Sequence, residues 1–202
     1  MTLDRFRSVA DRAIAPFVAA AERVGLTPNG VSVVAFAAAA AAGLCFGFAG
    51  RDATLYPVGA VLVMVNGWLD VLDGALAREL GTDSRAGDLL DHVLDRYADI
   101  VVIAGLAAGI DRYGVGIAAV TGVLMTSYLG TQAQAVDLDR VYGGLLGRAD
   151  RLVLVAVVTA VTPFVDLTAA GLGPVGWLLV LFAVVGHLTA LQRFYLSMRA
   201  LG

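Results

Sequence analysis

The sequence predicts an all-α integral membrane protein, with six transmembrane helices preceded by an amphipathic interfacial helix. Three observations carry this expectation. Of 202 residues, 59% are hydrophobic and 15% charged, where a soluble domain has about 25% charged residues. The apolar residues fall in blocks close to the ~20 residues that a helix needs to cross the hydrocarbon core. All 14 basic residues are arginine, and they gather on one side of the pattern those blocks set.

Residues 1–24 read as an amphipathic helix. Leu3, Phe6, Val9, Ala10, Ala13, Ile14, Phe17 and Val18 recur at helical spacing, opposite Asp4, Arg5, Asp11, Arg12, Glu22 and Arg23. Such a helix suits the membrane interface. A cleaved signal peptide fits less well, because acids and bases lie on both sides of the apolar stretch 13–21. The run Gly25-Leu26-Thr27-Pro28-Asn29-Gly30 then ends the helix and redirects the chain. Spans are expected at about 31–49, 55–76, 89–110, 115–135, 152–172 and 175–196. The second turns polar from Asn66 onward and the third is polar through Asp99. Only 79–86 joins them, so their polar ends share one membrane face. The chain 1–202 reads as a single membrane domain, 1–24 being the interfacial helix and 31–196 the six-helix bundle.

Arginine placement orients this bundle. With the N-terminus inside, the inner side carries Arg5, Arg7, Arg12, Arg23, Arg78, Arg85, Arg96, Arg140, Arg148, Arg151, Arg193 and Arg199, and the outer side only Arg51 and Arg112. The positive-inside bias puts both termini and the polar ends on the cytoplasmic face of a multi-pass protein of the cell membrane. A net charge of -3 gives no ground for a nucleic-acid partner. Cys45 is the single cysteine, which excludes an internal disulfide or a CxxC redox site. His92 and His187 are too few and too scattered for a zinc centre; His92 adjoins Asp91, which offers a supporting role there as the alternative to a bland surface position.

The polar ends hold the chemistry. Asp70 and Asp73 are three residues apart and Asp91 and Asp95 four apart, so each pair projects from one helix face. Asp88, Asp91, Asp95 and Asp99 together form a stripe on the third span. A carboxylate inside a membrane costs at least ~2.5–3.5 kcal/mol on insertion scales, so several together require compensating cations. Pairing with Arg78, Arg85 and Arg96 accounts for one or two of them. Two helices each presenting two carboxylates make an oxygen-rich cradle suited to Mg²⁺ or Mn²⁺. Gly67, Gly74, Ala77 and Gly87 allow close approach of backbone and ligand. Arg78 and Arg85 stand at the mouth, where guanidinium groups neutralise phosphate.

The run Asp70-x-x-Asp73-Gly74-x-x-Ala77-Arg78, eight residues, Gly87-x-x-x-Asp91-x-x-x-Asp95 resembles the full signature of the CDP-alcohol phosphotransferases, with every fixed position filled. The likeness extends to the short helix before the first span, the Thr27-Pro28-Asn29 turn and the six spans. It implies transfer of a substituted phosphate from a CDP-linked lipid to a small alcohol, with release of CMP. On that resemblance, Asp70, Asp73 and Asp91 bind divalent metal, the implied cofactors being two Mg²⁺ or Mn²⁺ ions, with Asp95 near the second. Asp95 is also the implied general base toward the acceptor hydroxyl, and Gly74, Ala77 and Arg78 the implied cytidine diphosphate pocket. A homodimer with a complete site in each protomer is implied as well.

The acceptor is read from two further segments. Gly143-Gly144-Leu145-Leu146-Gly147-Arg148-Ala149-Asp150-Arg151-Leu152 and Leu191-Gln192-Arg193 resemble the phosphatidylinositol-phosphate synthase branch and its archaeal ether-lipid counterpart. There such arginines hold an inositol phosphate, which makes Arg148, Arg151 and Arg193 an expected acceptor clamp; snorkelling and inner-face anchoring is the competing reading. After Ser127-Tyr128 that branch has basic residues, whereas this chain has Leu129-Gly130-Thr131-Gln132-Ala133-Gln134. The amides suit a neutral polyol, or a bridge between helices. Inositol phosphate or glycerol phosphate is expected ahead of serine. From other classes, a divalent-cation transporter predicts acids spread along a pore, yet 100–110 has no charge. A non-catalytic scaffold has no need of a base at Asp95.

Overall fold

The computed structural model describes residues 7–82, 84–139 and 144–202, with side chains from residue 14 onward. The described residues form seven α-helices: α1 (Arg7–Arg23), α2 (Pro28–Phe48), α3 (Leu55–Leu80), α4 (Arg85–Gly109), α5 (Tyr113–Gln132), α6 (Arg148–Val161) and α7 (Pro174–Leu201). Short 3₁₀ turns follow α5 at Gln134–Val136 and α6 at Thr162–Phe164.

Each expected span contains a helix, but the helices are not equivalent. Among the described residues, four regions are long and apolar enough to cross a membrane: α2, α3, α5 with its 3₁₀ extension, and α7. The helix α4 has the length but carries Asp88, Asp91, Asp95, Arg96 and Asp99. The fifth expected span, 152–172, requires correction. Its helix begins early, at Arg148, and stops at Val161. Pro163 lacks the N–H that would continue the ladder, and the chain leaves through the 3₁₀ turn. Fourteen residues rise only ~21 Å, short of a hydrocarbon core of ~30 Å.

The first helix packs on the protein. Ile14, Val18 and Ala21 are buried with Val31, Leu72 and Leu76, and Phe17 meets Trp68 edge-on at 5.0 Å between ring centres. Of its expected apolar face, Leu3 and Phe6 lie outside the described residues, as do the side chains of Val9, Ala10 and Ala13.

Within the bundle, α2 packs against both α3 and α4, and α5 against α7. Glycine makes two of these contacts possible. A Cβ on Gly105 of α4 would lie 2.1 Å from the Gly43 carbonyl oxygen of α2. A Cβ on Gly186 of α7 would come within 2.7 Å of the Gly122 backbone of α5. Backbones that touch in this way gain dispersion contacts where lipid supplies no hydrophobic drive between helices. The core fills the remaining space with Phe46, Val63, Leu106, Val123, Leu179 and Phe182.

Candidate active site

Local sequence sets the frame. The last turn of α3 closes at Gly81, φ 58°, where the Gly81 and Thr82 N–H groups reach back to carbonyls of the final turn. Ser84 then caps α4 by accepting from the Gly87 N–H at 3.0 Å. Thr27 caps α2 in the same manner through the Gly30 N–H at 3.2 Å. A cavity of about 180 Å³ lies where these ends meet. Pro28 and Asn29 of α2, Gly74, Ala77 and Arg78 of α3, and Ser84 and Gly87 beside α4 border it. Two helix N-termini therefore open onto the cavity, an arrangement that favours an anion. Arg85 is exposed on the first turn of α4 and is not among the cavity's walls.

The carboxylates stand deeper. Because α2 packs on α3 and α4 alike, it holds the acids of the two helices over its own face. Asp70, Asp91 and Asp95 each offer a carboxylate oxygen, and these three atoms lie within 4.8 Å of one another. Asp73 stands between this trio and the cavity, bordering both. Its Oδ2 accepts a hydrogen bond of 2.6 Å from Ser32 Oγ of α2. Three half-buried hard oxygen donors at this spacing, from rigid helices, fit a Mg²⁺ or Mn²⁺ ion.

The basic residues are arranged otherwise than an open clamp. Arg148 bridges Asp70 Oδ2 at 2.6 Å and Asp95 Oδ1 at 2.7 Å. Arg151, buried, donates to Asp99 Oδ2 at 3.1 Å. Arg193 donates to the Thr126 carbonyl of α5 at 2.6 Å. Arg96 reaches Asp95 and Asp99 at 3.6 and 3.7 Å and hydrogen-bonds Ser127 Oγ. Arg148 and Arg151 occupy the first turn of α6, which opposes the helix dipole; the acids of α3 and α4 compensate them. The Gly147 N–H donates to Asp150 Oδ2 at 2.9 Å and secures that turn.

His92 Nδ1 lies 2.7 Å from the Asp88 carbonyl of its own helix, and Asp88 is exposed at the rim. Gln132 and Gln134 are exposed; Gln134 borders a separate groove between α4 and α5 with Arg96, Ser127 and Tyr128. Arg140 and Gly143 lie outside the described residues. Two site residues escaped the sequence reading. Ser32 is an isolated hydroxyl in an apolar run, which is its only sequence signal. Asn66 is buried, donates to the Ala35 carbonyl at 2.9 Å and borders the carboxylates.

Comparison with known proteins identifies the family. Residues 25–190 match the family model described as CDP-alcohol phosphatidyltransferase. The chain belongs to that family and is a transferase of phospholipid biosynthesis. It is 36% identical over 194 residues to the phosphatidylinositol phosphate synthase of Mycolicibacterium smegmatis, covering 89% of this chain and 81% of the relative. It is 32% identical over 154 residues to the archaetidylinositol phosphate synthase of Methanothermobacter thermautotrophicus, covering 76% and 74%. Among solved structures, the Mycobacterium tuberculosis phosphatidylinositol phosphate synthase with CDP-DAG bound superposes with a TM-score of 0.79 at 30% identity, covering 92% and 94%. The same enzyme in complex with manganese and citrate gives 0.78 at 30% identity, covering 91% and 88%.

Proposed function

We propose that the chain transfers a phosphatidyl or archaetidyl group from a CDP-activated lipid to a small polyol or polyol phosphate, inositol phosphate foremost, and releases CMP. The observation that carries this reading is the meeting of Asp70, Asp91 and Asp95 within 4.8 Å, beside a cavity bordered by Gly74, Ala77 and Arg78. Asp70, Asp73, Asp91 and Asp95 would hold the divalent ions, two in number. When bound, such ions neutralise charge on the pyrophosphate and ease departure of CMP. The naming of manganese in a complex of the M. tuberculosis enzyme supports this.

The residues divide the remaining work. Gly74 and Ala77 leave room for the nucleotide; the nearest atom to a Cβ on Gly74 would be Arg78 Nη1 at 3.4 Å, so a side chain there would take up cavity space. Arg78 and the N-termini of α2 and α4 receive phosphate oxygens. Asp95 accepts the proton of the acceptor hydroxyl. The hydroxyl oxygen bonds to the lipid-side phosphorus, and the bond from that phosphorus to the bridging oxygen breaks, leaving with CMP. Arg148 and Arg193 are the acceptor-binding cations, and Arg151 supports them from its buried pair with Asp99.

The names of both relatives favour inositol phosphate. The exposed amides Gln132 and Gln134 keep other polyols, and serine, in the comparison. The test incubates membranes with labelled CDP-lipid, of diacyl and of ether type, and a panel of alcohols, scoring CMP with and without EDTA. Inositol phosphate is expected to give the largest yield and EDTA to abolish it; CMP formation insensitive to EDTA overturns the metal assignment.

The wider reading is one domain over 1–202, a six-helix membrane bundle in which the charged α4 crosses and α6 alone falls short of the full hydrocarbon thickness, and an interfacial α1. The site and both termini face the cytoplasm of the cell membrane. A homodimer fits, with one complete site per protomer, since all the acids named come from a single chain.

A further inference from the structure

Arg148 holds an unusual position. It opens α6, where the helix dipole disfavours a cation, and its side chain is largely buried. Both terminal nitrogens are engaged by acids, Nη1 by Asp70 at 2.6 Å and Nη2 by Asp95 at 2.7 Å. Its Nε is buried without a hydrogen-bond partner among the described residues. Asp70 and Asp95 also supply two of the three oxygens that lie within 4.8 Å of one another. A guanidinium chelating these acids and a divalent ion coordinated by them draw on the same carboxylates. Two cations that close repel as well. Arg96 competes less, because it reaches Asp95 only at 3.6 Å and is shared with Asp99 and Ser127.

We propose that Arg148 is a resident counter-ion that a divalent cation must displace from Asp70 and Asp95, so that an anion drawing Arg148 aside tightens metal binding. This rests on the reading of Asp70, Asp91 and Asp95 as metal ligands. A displaced guanidinium at this depth still needs a partner, since an unpaired buried charge is costly. Its planar fork, with Nε unbonded among the described residues, suits a tetrahedral oxyanion such as a phosphate group. Linkage then requires reciprocity: an anion that favours the displaced arginine raises metal affinity, and the metal raises anion affinity by the same factor.

The test measures Mn²⁺ affinity of the purified full-length protein in detergent by electron paramagnetic resonance, without nucleotide or lipid donor. Arg148→Gln is expected to bind Mn²⁺ about tenfold more tightly than wild type, the scale on which neighbouring groups tune metal sites. Inorganic phosphate at constant ionic strength, corrected for its own Mn²⁺ complex, is expected to tighten wild type and leave Arg148→Gln unchanged. Equal or weaker Mn²⁺ binding by folded Arg148→Gln overturns the proposal, because Arg148 then only positions the carboxylates. Should that variant not fold, the phosphate titration of wild type and of Arg148→Lys decides; no tightening in wild type overturns the proposal equally. Folded wild type that binds no Mn²⁺ at all overturns the metal reading itself, and this inference with it.

Discussion

At the scale of single residues, the oxygen atoms of the acids differ in what they touch. Asp95 shares its carboxylate with Arg148 and Arg96, whereas Asp73 is held by a hydroxyl, Ser32. Asp95→Asn keeps the shape and removes the proposed base. CMP release is expected to fall by about 10²–10⁴-fold, with CDP-lipid binding largely spared; measuring turnover and binding on one preparation separates the two, and undiminished turnover removes Asp95 from the role of base. Ser32 acts through Asp73. Ser32→Ala leaves Asp73 without its orienting donor, and a loss of about 10–100-fold in Mn²⁺ affinity is expected. Ser32→Thr, which keeps the hydroxyl, is expected to recover part of it. The aspartates were legible from spacing alone because i, i+3 and i, i+4 residues share a helix face whatever the helix packs against. Ser32 was not, since a lone serine in an apolar run reads equally as a hydroxyl bonded to its own helix. Ser32 Oγ does lie 3.1 Å from the Pro28 carbonyl as well.

Among elements, α2 is the piece on which the site is built. It carries few polar groups, yet it backs both acid-bearing helices and supplies Ser32. Its grip on α4 depends on Gly43 and Gly105, whose backbones leave no room for a Cβ. Gly105→Ala is expected to cost roughly 1–3 kcal/mol, the range for overpacking a tight contact. Thermal unfolding in detergent checks this, with Gly114→Ala as control, because a Cβ at Gly114 meets nothing within 4 Å. Equal midpoints for the two variants would show that the helices part freely. The end of α6 was misjudged for a local reason: residues 152–172 are apolar enough to read as a span, but Pro163 interrupts the ladder. A short α6 leaves its first turn, with Arg148 and Arg151, at the level of the acids. The turn's two cations would be unfavourable at a helix start without them.

For the whole molecule, the charges lie mainly at one end. Arginines assigned to the outer side number only two, Arg51 and Arg112, and that asymmetry supports a cytoplasmic site. In a Cys45→Ser background, Leu201→Cys is expected to resist a membrane-impermeant maleimide in intact cells and to react after permeabilisation, whereas Asp52→Cys reacts in both. Labelling of Leu201→Cys in intact cells would invert the orientation. The class of protein, the number of helical segments, the placing of the four aspartates on the faces of α3 and α4, and the family were legible in the sequence. The first three rest on periodicity, composition or spacing, which are properties of neighbouring residues along one chain, and the family on the resemblance of the aspartate run to a known signature. Partners across helices were decided only by the tertiary structure. That Arg148 meets Asp70, 78 positions away, and that Arg151 is spent on Asp99 rather than left open, depend on which helix faces pack. Those faces are selected by backbone contacts such as Gly43 against Gly105, for which hydropathy carries no signal, since glycine in lipid reads the same whether it touches a helix or an acyl chain.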